Sequence, residues 1–340
     1  MHRREFIHAS VIATLAGKVL SDTTLARAQA PTQRVTPAGP APAPRRLIMD
    51  AYTRHLHWIR SADEIAEAAI AMTCGGVNPT IQSHPGHINP ANVATELPAF
   101  VKTMQKHGLR VKQIRGGNET QVNVTVEALV GTMAQAGVTH YWLGTDNYDL
   151  TKPILPQLDA IKIKVDRFVT LNRKHGTTLM YHTRAGANAV GSAVWDLLYV
   201  LKDFDPKHVG LHWDTGHMSL HGANMWELLM RTAGPYIVAI GWKDRSWEQR
   251  TGAGPGRGGG WNSPYVPMGT GLVDISRYAA VMRDIGFDGP MELEAEYPNG
   301  GSENGTDTLT LPRAQVIENL KRDVLTIRGA LEQSGTGLTI

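Results

Sequence analysis

Four short segments of the chain combine carboxylates, imidazoles and basic side chains within a few positions of one another. They are residues 181–184 (YHTR), 212–217 (HWDTGH), 241–245 (GWKDR) and 292–296 (ELEAE). In the last segment, Glu292, Glu294 and Glu296 share one face if the segment is a strand, because side chains alternate along a strand. A buried carboxylate needs a partner, and a divalent cation with His and Asp neighbours is an effective one. The segments therefore predict a polar, cation-binding centre wherever the fold brings them together.

The elements that must position these segments alternate along the chain. From Leu47 onward, short apolar runs rich in β-branched residues are separated by stretches with helical periodicity, which is typical of a parallel sheet. We predict eight strands, at residues 46–52, 76–82, 109–114, 140–144, 177–182, 208–214, 236–242 and 290–296. Eight strands are the number that a closed (β/α)8 barrel needs. The predicted fold class is therefore α/β, with a single TIM barrel over residues 46–335.

Helix signals between the strands, and one missing motif, favour the barrel. Ser61 can cap a helix with Glu64 reciprocating, and the apolar residues between Asn92 and His107 share one helical face. A doubly wound open sheet would carry a glycine-rich turn after its first strand, and residues 50–57 (DAYTRHLH) contain no glycine. Because reacting groups in a barrel gather at the carboxyl ends of the strands, the ends of strands five to eight should meet at one rim.

The N-terminal part of the chain does not resemble a folded domain. Arg3 and Arg4 stand just ahead of an apolar stretch over residues 9–20, and residues 28–30 (AQA) form a cleavage site for a signal peptidase. Residues 1–30 are therefore predicted to be a twin-arginine signal peptide, with a short amphipathic helix as the alternative. Residues 31–45 are rich in Pro and Ala and are predicted to be a linker, because proline fixes φ and removes donors. We expect the mature protein in the periplasm or outside the cell.

The composition limits the range of partners. The chain has 340 residues, of which 42% are hydrophobic, enough for a large core. The formal net charge is +3 and the Lys and Arg residues are scattered, so no nucleic-acid partner is predicted. Cys74 is the only cysteine, which excludes an internal disulfide. No apolar run reaches the roughly 20 residues of a membrane span, and a homo-oligomer stays open.

Three motifs resemble a known family. The sequences "VGLHWDTGHMSLHG" (209–222), "GWKDR" (241–245) and "GFDGPMELEAEYP" (286–298) resemble, in order and spacing, the last three strands of the xylose-isomerase-like barrel superfamily. That superfamily includes sugar-phosphate isomerases, tagatose-type epimerases and inosose dehydratases, and the resemblance covers nearly all of residues 46–330. It implies that Asp214 and Glu294 are ligands of a divalent metal. It also implies that His217 contacts the metal or a substrate hydroxyl.

Two departures from the family pattern bear on the metal. Gly241 stands where the pattern His-x-Lys-Asp has a histidine ligand, and His182 stands where many members carry a glutamate. The implied ligand set becomes His182, Asp214, His217 and Glu294, a mixture of imidazole and carboxylate that suits Mn, Co or Zn, with Mg as a further candidate. A cation-free barrel that binds sugar through arginines and carboxylates is the alternative.

The resemblance also implies a reaction class. A proton leaves a carbon next to a carbonyl while a cation or an arginine holds the enolate oxygen, as in a sugar or polyol isomerase, epimerase or dehydratase. Glu294 is the candidate base, or Glu296 if Glu294 binds the metal, and His182, His217 and Lys243 could supply acid or electrophilic help. Glu296 could instead pair with Lys243 or Arg245.

Further polar residues are candidates for contacts to a small carbohydrate or polyol. His84 and His87 flank a rigid Pro-Gly turn just past the second strand, where the far end of a sugar would lie, and a hydrogen-bonded surface pair is the alternative. Arg184, Asp244 and Arg245 follow strands five and seven in the same way.

Two functions of other classes stay open at this point. One is a non-catalytic exported barrel that binds a saccharide or a partner protein, and Gly241 favours it. The other is a metal-dependent phosphoester hydrolase of the same superfamily. The hydrolase would need about three metal ions and a basic groove for nucleic acid.

Overall fold

The protein is described from a computed structural model that covers residues 43–117, 125–220, 225–250 and 260–340. The predicted signal peptide, residues 1–30, and residues 31–42 of the predicted linker lie outside the described residues. At the junction with the barrel, Arg45–Arg46 forms a short strand that pairs in parallel with Leu338–Thr339. Among the described residues, no helix is both long enough and apolar enough to cross a membrane.

The centre of the fold is a ring of parallel strands, which we number β1 to β8. They span Met49–Tyr52, Gly76–Asn78 with Thr80–Ile81, Gln113–Gly116, His140–Leu143, Thr178–His182, Val209–Asp214, Ile237–Trp242 and Met291–Leu293. Strand β2 is divided at Pro79, whose nitrogen has no hydrogen to donate to a ladder. Its first half pairs with β1 and its second half with β3, while β8 pairs with β1. Both ends of the sheet thus meet at β2, and the predicted α/β barrel is confirmed.

Helices follow the strands and cover the outside of the ring. We number them α1 to α9, and they span Ala62–Ala71, Val93–Lys106, Val126–Gln135, Ile154–His175, Trp195–Leu201, Thr215–Ser219, Met225–Ala233, Ile275–Asp284 and Arg313–Gln333. Short 3-10 turns lie at Thr53–Leu56, Pro90–Asn92, Gly234–Tyr236 and Ser302–Asn304. The predicted cap is present, since the side chain of Ser61 accepts a hydrogen bond from the backbone N–H of Glu64. The predicted apolar face of α2 is buried, as expected of an amphipathic helix.

The strand boundaries differ from the prediction by up to four residues, with large differences at β3 and β8. Strand β3 begins at Gln113 rather than at Leu109, because Leu109 still closes the end of α2 through a hydrogen bond from its N–H to the carbonyl of Met104. Strand β8 ends at Leu293, three residues early. The backbone of Glu294 nevertheless stays beside the end of β7, since its N–H bonds the carbonyl of Trp242 at 2.9 Å. Glu294 therefore keeps the position at the barrel mouth that the strand prediction gave it.

The apolar core lies mainly between the strands and the helices. Inside the ring, a small apolar cluster of Trp142, Met180 and Ala239 is surrounded by polar side chains. The fully buried polar residues on the strands include Asp50, Asn78, Gln113, His212 and Glu292. Some of these groups are partners of one another across the ring, since Asn78 donates to Glu292 and Gln113 donates to Asp50.

Candidate active site

A lysine surrounded by carboxylates lies at the carboxyl ends of β6, β7 and β8. The ammonium nitrogen of Lys243 is 2.8 Å from Asp214 Oδ2, 2.7 Å from Glu294 Oε2 and 3.2 Å from Glu296 Oε2. Lys243, Asp214 and Glu294 are almost completely buried, and the side chain of Glu296 is 19% exposed. The structure therefore brings together the predicted residues from these three strands, with Glu296 at the open side.

Two imidazoles complete this central group. His182 Nε2 lies 3.2 Å from Glu294 Oε1 and 3.5 Å from Asp214 Oδ2, and His182 Nδ1 lies 2.7 Å from the carbonyl of Thr183. His217 Nδ1 is 3.1 Å from the same carbonyl. Burial lowers the pKa of His182 to about 4, and burial together with Lys243 lowers the pKa of His217 to about 3. Both imidazoles are therefore neutral at physiological pH, the form that binds metals.

Local hydrogen bonds explain why Asp214 and Lys243 face each other. Asp214 caps α6 with one carboxylate oxygen, because Oδ1 accepts the N–H of His217 at 2.7 Å. The other oxygen is left for Lys243 and His182. Thr215 ties the end of β7 to α6, since its Oγ1 donates to the carbonyl of Lys243 and accepts the N–H of the same residue. The Asp-x-x-His spacing thus serves as a helix cap and as part of the central group at once.

The space beside Gly241 is filled by two other side chains. A Cβ at Gly241 would lie 2.6 Å from Glu294 Oε1 and 2.9 Å from His212 Cε1. His212, one layer below, has Nε2 at 3.1 Å from Glu292 Oε1 and Nδ1 at 3.9 Å from Glu294 Oε1. Burial opposes charge on His212, but Glu292 outweighs it, so the pKa of His212 is raised. His212 was not among the predicted site residues, because its approach to Glu294 depends on the space that Gly241 leaves open.

The donor set fits a divalent cation. His182, Asp214 and His217 form one group whose potential ligand atoms all lie within 4.8 Å of one another, and His182, His212 and Glu294 form a second. Mixed imidazole and carboxylate ligands suit Mn, Zn or Co. Three carboxylates around one ammonium also leave a surplus of negative charge, which a cation would neutralise. These two groups share His182, so they lie at one centre with alternative ligands.

Side chains from loops approach the central group from outside the barrel. The Nη1 of Arg54 is 3.7 Å from Glu296 Oε1. The hydroxyl of Tyr265 is 3.4 Å from His217 Nε2, and Lys243 Nζ is 5.5 Å from the centre of the Tyr265 ring. Neither Arg54 nor Tyr265 was predicted, since Tyr265 lies about twenty positions after β7 and no motif marks it.

The residues predicted to bind substrate are more dispersed. Asp244 accepts backbone N–H groups of residues 245, 269, 271 and 273, so its carboxylate holds the loop after β7 in shape. Arg245 donates to the carbonyl of Ser263, and its guanidinium lies 4.3 Å from the centre of the Tyr265 ring. Arg184 donates to Thr145 Oγ1 at 3.3 Å. These contacts make Asp244 and Arg245 supports of the Tyr265 loop.

The two histidines after the second strand belong to a separate cluster. The rings of His84 and His87 lie edge-on to His57, with centroid distances of 4.7 and 5.4 Å. His87 Nε2 is also 3.1 Å from the carbonyl of Ile59. Asp307 lies 3.0 Å from His57 Nδ1. The described ring–ring contacts of His84 and His87 are thus both with His57.

Comparison with known proteins shows which family and which solved structures this chain is similar to. The sequence profile of the family described as "Xylose isomerase-like TIM barrel" matches residues 125–320. A crystal structure of D-psicose 3-epimerase in the presence of D-fructose is 14% identical, with 84% of this chain and 99% of that chain covered and a TM-score of 0.61. The apo 3-keto-D-glucoside 4-epimerase from E. coli is 12% identical, with 82% and 98% covered and a TM-score of 0.58.

A further neighbour in structure contains a metal. The IolI protein with a bound zinc atom is 14% identical, with 84% of this chain and 99% of that chain covered and a TM-score of 0.60. At these identities the likeness concerns the fold alone. Among curated proteins, none matches this chain significantly by sequence.

Proposed function

The chain belongs to the xylose isomerase-like TIM barrel family, and from this membership we propose that it is an isomerase, epimerase or dehydratase acting on a small sugar or polyol. The observation that carries the proposal is the contact of the Lys243 ammonium with the carboxylates of Asp214, Glu294 and Glu296 at the barrel mouth. Ionised carboxylates beside neutral imidazoles are the groups needed to take a proton from carbon and return it. The names of two structural neighbours, a sugar epimerase and a ketoglucoside epimerase, support the substrate class.

The metal would be held by His182, Asp214 and Glu294, with His217 as a further ligand. A divalent cation there supplies Lewis-acid stabilisation of the oxygen that becomes negative when the neighbouring carbon loses its proton. Since Glu294 is then a ligand, Glu296 is the proposed base, because it is the most exposed of the carboxylates that contact Lys243.

Lys243 keeps the neighbouring carboxylates ionised. Burial opposes ionisation of Glu296, but Lys243 outweighs it and lowers the pKa of Glu296 to about 2. The pKa of Glu294 is likewise lowered by Lys243 and His182 in spite of burial. Glu296 is therefore ionised at neutral pH and able to accept a proton. Where the metal is held by the other three residues alone, His217, neutral and beside the Tyr265 hydroxyl, is placed to exchange a proton with a sugar hydroxyl.

Metal analysis combined with an activity panel tests this proposal. Purified protein is analysed for Mn, Co, Zn and Mg and assayed on aldoses, ketoses and inositols before and after chelation. We expect bound divalent metal, turnover of at least one sugar or polyol, and loss of turnover on chelation. Glu296→Gln should keep the metal and lose turnover, because an amide cannot accept the proton. Full turnover by Glu296→Gln would contradict the assignment of the base.

One alternative has its own support in the structure. Lys243 already neutralises part of the charge on Asp214 and Glu294, as a cation-free saccharide-binding barrel would require. The same experiment separates the two functions. Sugar binding that is unaffected by chelation, with no turnover of any substrate, would identify the binding protein.

We also propose that the protein acts outside the cytoplasm. The proposal rests on the sequence of residues 1–30, with its arginine pair and its cleavage site. Replacing Arg3 and Arg4 by lysine should leave an uncleaved precursor in the cytoplasm. Unchanged amounts of the mature form outside the cytoplasm would contradict the signal.

A further inference from the structure

A two-stranded antiparallel ribbon follows β7 in the chain. We call it the aromatic ribbon and define it as residues 244–250 and 260–266. Near the barrel Arg245 pairs with Tyr265, and farther out Gln249 pairs with Trp261. The register does not shift between these pairs, and the N–H of Ser246 bonds the carbonyl of Pro264 at 3.0 Å. Pro264 has no N–H, which explains why the regular ladder is interrupted there.

The alternation of side chains sorts the ribbon into two faces. With constant register, Arg245 and Trp247 on one strand share a face with Tyr265 and Trp261 on the other. Trp247 and Trp261 are diagonal neighbours across the pair, a relation that lets large side chains contact the same molecule. Both indoles are open to solvent, with exposures of 48% and 56%.

This face is continuous with the central group. At its inner end the guanidinium of Arg245 stacks on the ring of Tyr265 at 4.3 Å, and the Tyr265 hydroxyl is 3.4 Å from His217 Nε2. Asp244 holds the base of the ribbon through the backbone N–H groups of residues 269, 271 and 273. The aromatic face therefore begins at the site and extends outward from a fixed base.

Exposed indoles on a fixed strand pair suit a flat, partly apolar ligand with polar edges. The C–H face of a pyranose ring is such a surface, and its hydroxyls can bond to side chains at the margin of the ribbon. Gln249, the partner of Trp261, offers an amide donor and acceptor there. A free monosaccharide at Lys243 and Glu294 would leave both indoles without a ligand.

We propose that the aromatic ribbon binds the second sugar ring of a substrate whose first ring lies at the central group. The substrate class is then a disaccharide or other glycoside rather than a free monosaccharide. This inference rests on the proposed function, since it takes the central group to be where the first ring reacts. Trp247 and Trp261 act as specificity-determining residues, because they contact the ring that does not react.

Calorimetry and kinetics with matched sugars test the inference. The probes are D-fructose against turanose, maltulose, lactulose and isomaltulose, and D-glucose against maltose and cellobiose. In the wild type we expect at least one disaccharide to bind roughly tenfold tighter than its monosaccharide, the effect of about one aromatic stacking contact. The double variant Trp247→Ala/Trp261→Ala should lose this difference and keep the affinity for the monosaccharide.

Two controls distinguish stacking from damage to the ribbon. Trp247→Phe/Trp261→Phe keeps aromatic faces and should keep most of the preference. Trp195→Ala removes another exposed indole, at the start of α5, and should leave the preference unchanged. A preference that is reduced equally in all three variants would overturn the proposal.

The outcomes separate this inference from the proposed function. Disaccharides that bind no tighter than monosaccharides, or an alanine double variant with wild-type preference, would overturn the role of the ribbon even if turnover depends on Glu294. A preference that the alanine variant loses, in a protein that turns over no sugar, would support the ribbon and contradict the enzymatic function.

Discussion

Two layers of buried charge inside the same barrel differ in what they can do. In the lower layer, Asp50 is fully buried, and its oxygens accept from Gln113 Nε2 at 3.1 Å and from Arg110 Nε at 3.4 Å. The backbone of Gly76 packs directly against the carboxylate, since a Cβ at Gly76 would lie 2.1 Å from Asp50 Oδ1. In the upper layer, Glu294 and Glu296 contact an ammonium and imidazoles that can exchange protons or bind a cation.

Burial of a carboxylate does not by itself mark a functional site. Burial raises the pKa of Asp50 to about 7, whereas Lys243 outweighs burial at Glu296 and lowers its pKa to about 2. The lower layer has partners of fixed geometry and is closed. The upper layer has titratable partners and one exposed member. Partner type and access therefore separate a structural layer from a candidate active site.

The largest expected effect comes from removing charge in the upper layer. Glu294→Gln should reduce turnover by about 10² to 10⁴-fold, the usual loss when an acid–base or ligand group is removed. Asp50→Asn, the matched change in the lower layer, should leave turnover within about tenfold of the wild type. Steady-state kinetics on the best sugar of the panel compare them. Equal losses in the two variants would remove the distinction between the layers.

Removing the ammonium of Lys243 should lower the stability of the fold and not only change the kinetics. Lys243→Met leaves Asp214 and Glu294 without their buried partner, so we expect the free energy of unfolding to fall by about 3–5 kcal/mol. Added Mn²⁺ should recover part of it by binding the folded state. Lys174→Met, which breaks the exposed pair with Glu127, is the control and should stay close to wild type. If Lys243→Met were as stable as the wild type, the ion pairs of Lys243 with Asp214 and Glu294 would contribute nothing to stability.

A smaller effect is expected from adding one carbon atom at Gly241. Gly241→Ala places a Cβ against Glu294 and His212, and overpacking of this kind lowers stability by about 1–3 kcal/mol. The displaced Glu294 should also weaken binding of Mn²⁺. Gly329→Ala is the control, because a Cβ there meets nothing within 4 Å on the surface of α9. If Gly241→Ala bound Mn²⁺ more tightly than the wild type, the added Cβ would not displace Glu294 as we expect.

The last expected effect is spread over several pH units, as a gradual slope of stability with pH. The pKa of Asp50 in the folded protein is raised to about 7 from 3.8, so the folded state holds a proton that the unfolded state has lost between these values. Stability of the wild type should therefore fall as pH rises from about 4 to 7, by at most about 1.4 kcal/mol per unit. Asp50→Asn should lack this component. Parallel stability profiles of the two proteins in urea would contradict it.

The sequence identified site residues where a charged residue stands at the end of an apolar strand. Asp214, Lys243 and Glu294 stand at the ends of buried strands, and strand ends in a barrel converge whatever the loops do. His182 and His217 could be added on the same reasoning. Their convergence needed no knowledge of side-chain contacts.

Loop residues could not be placed in the same way. Tyr265 and Arg54 reach the central group from the connections after β7 and β1, and no periodicity specifies the path of a loop. Asp244 was predicted to contact substrate, yet its carboxylate bonds backbone N–H groups, a choice that depends on where residues 269–273 fold. The role of His212 could not be inferred either, because it fills space that only the missing side chain of Gly241 leaves open.

Exchange of solvent deuterium into sugars tests most directly whether the upper layer removes a proton from carbon. The wild type with Mn²⁺ is incubated with the sugar panel in D₂O, and proton NMR follows the C–H next to the carbonyl. We predict that the wild type and Asp50→Asn exchange this hydrogen in at least one sugar and that Glu296→Gln does not. Undiminished exchange by Glu296→Gln, or no exchange in any sugar that calorimetry shows to be bound, would contradict this role of the upper layer.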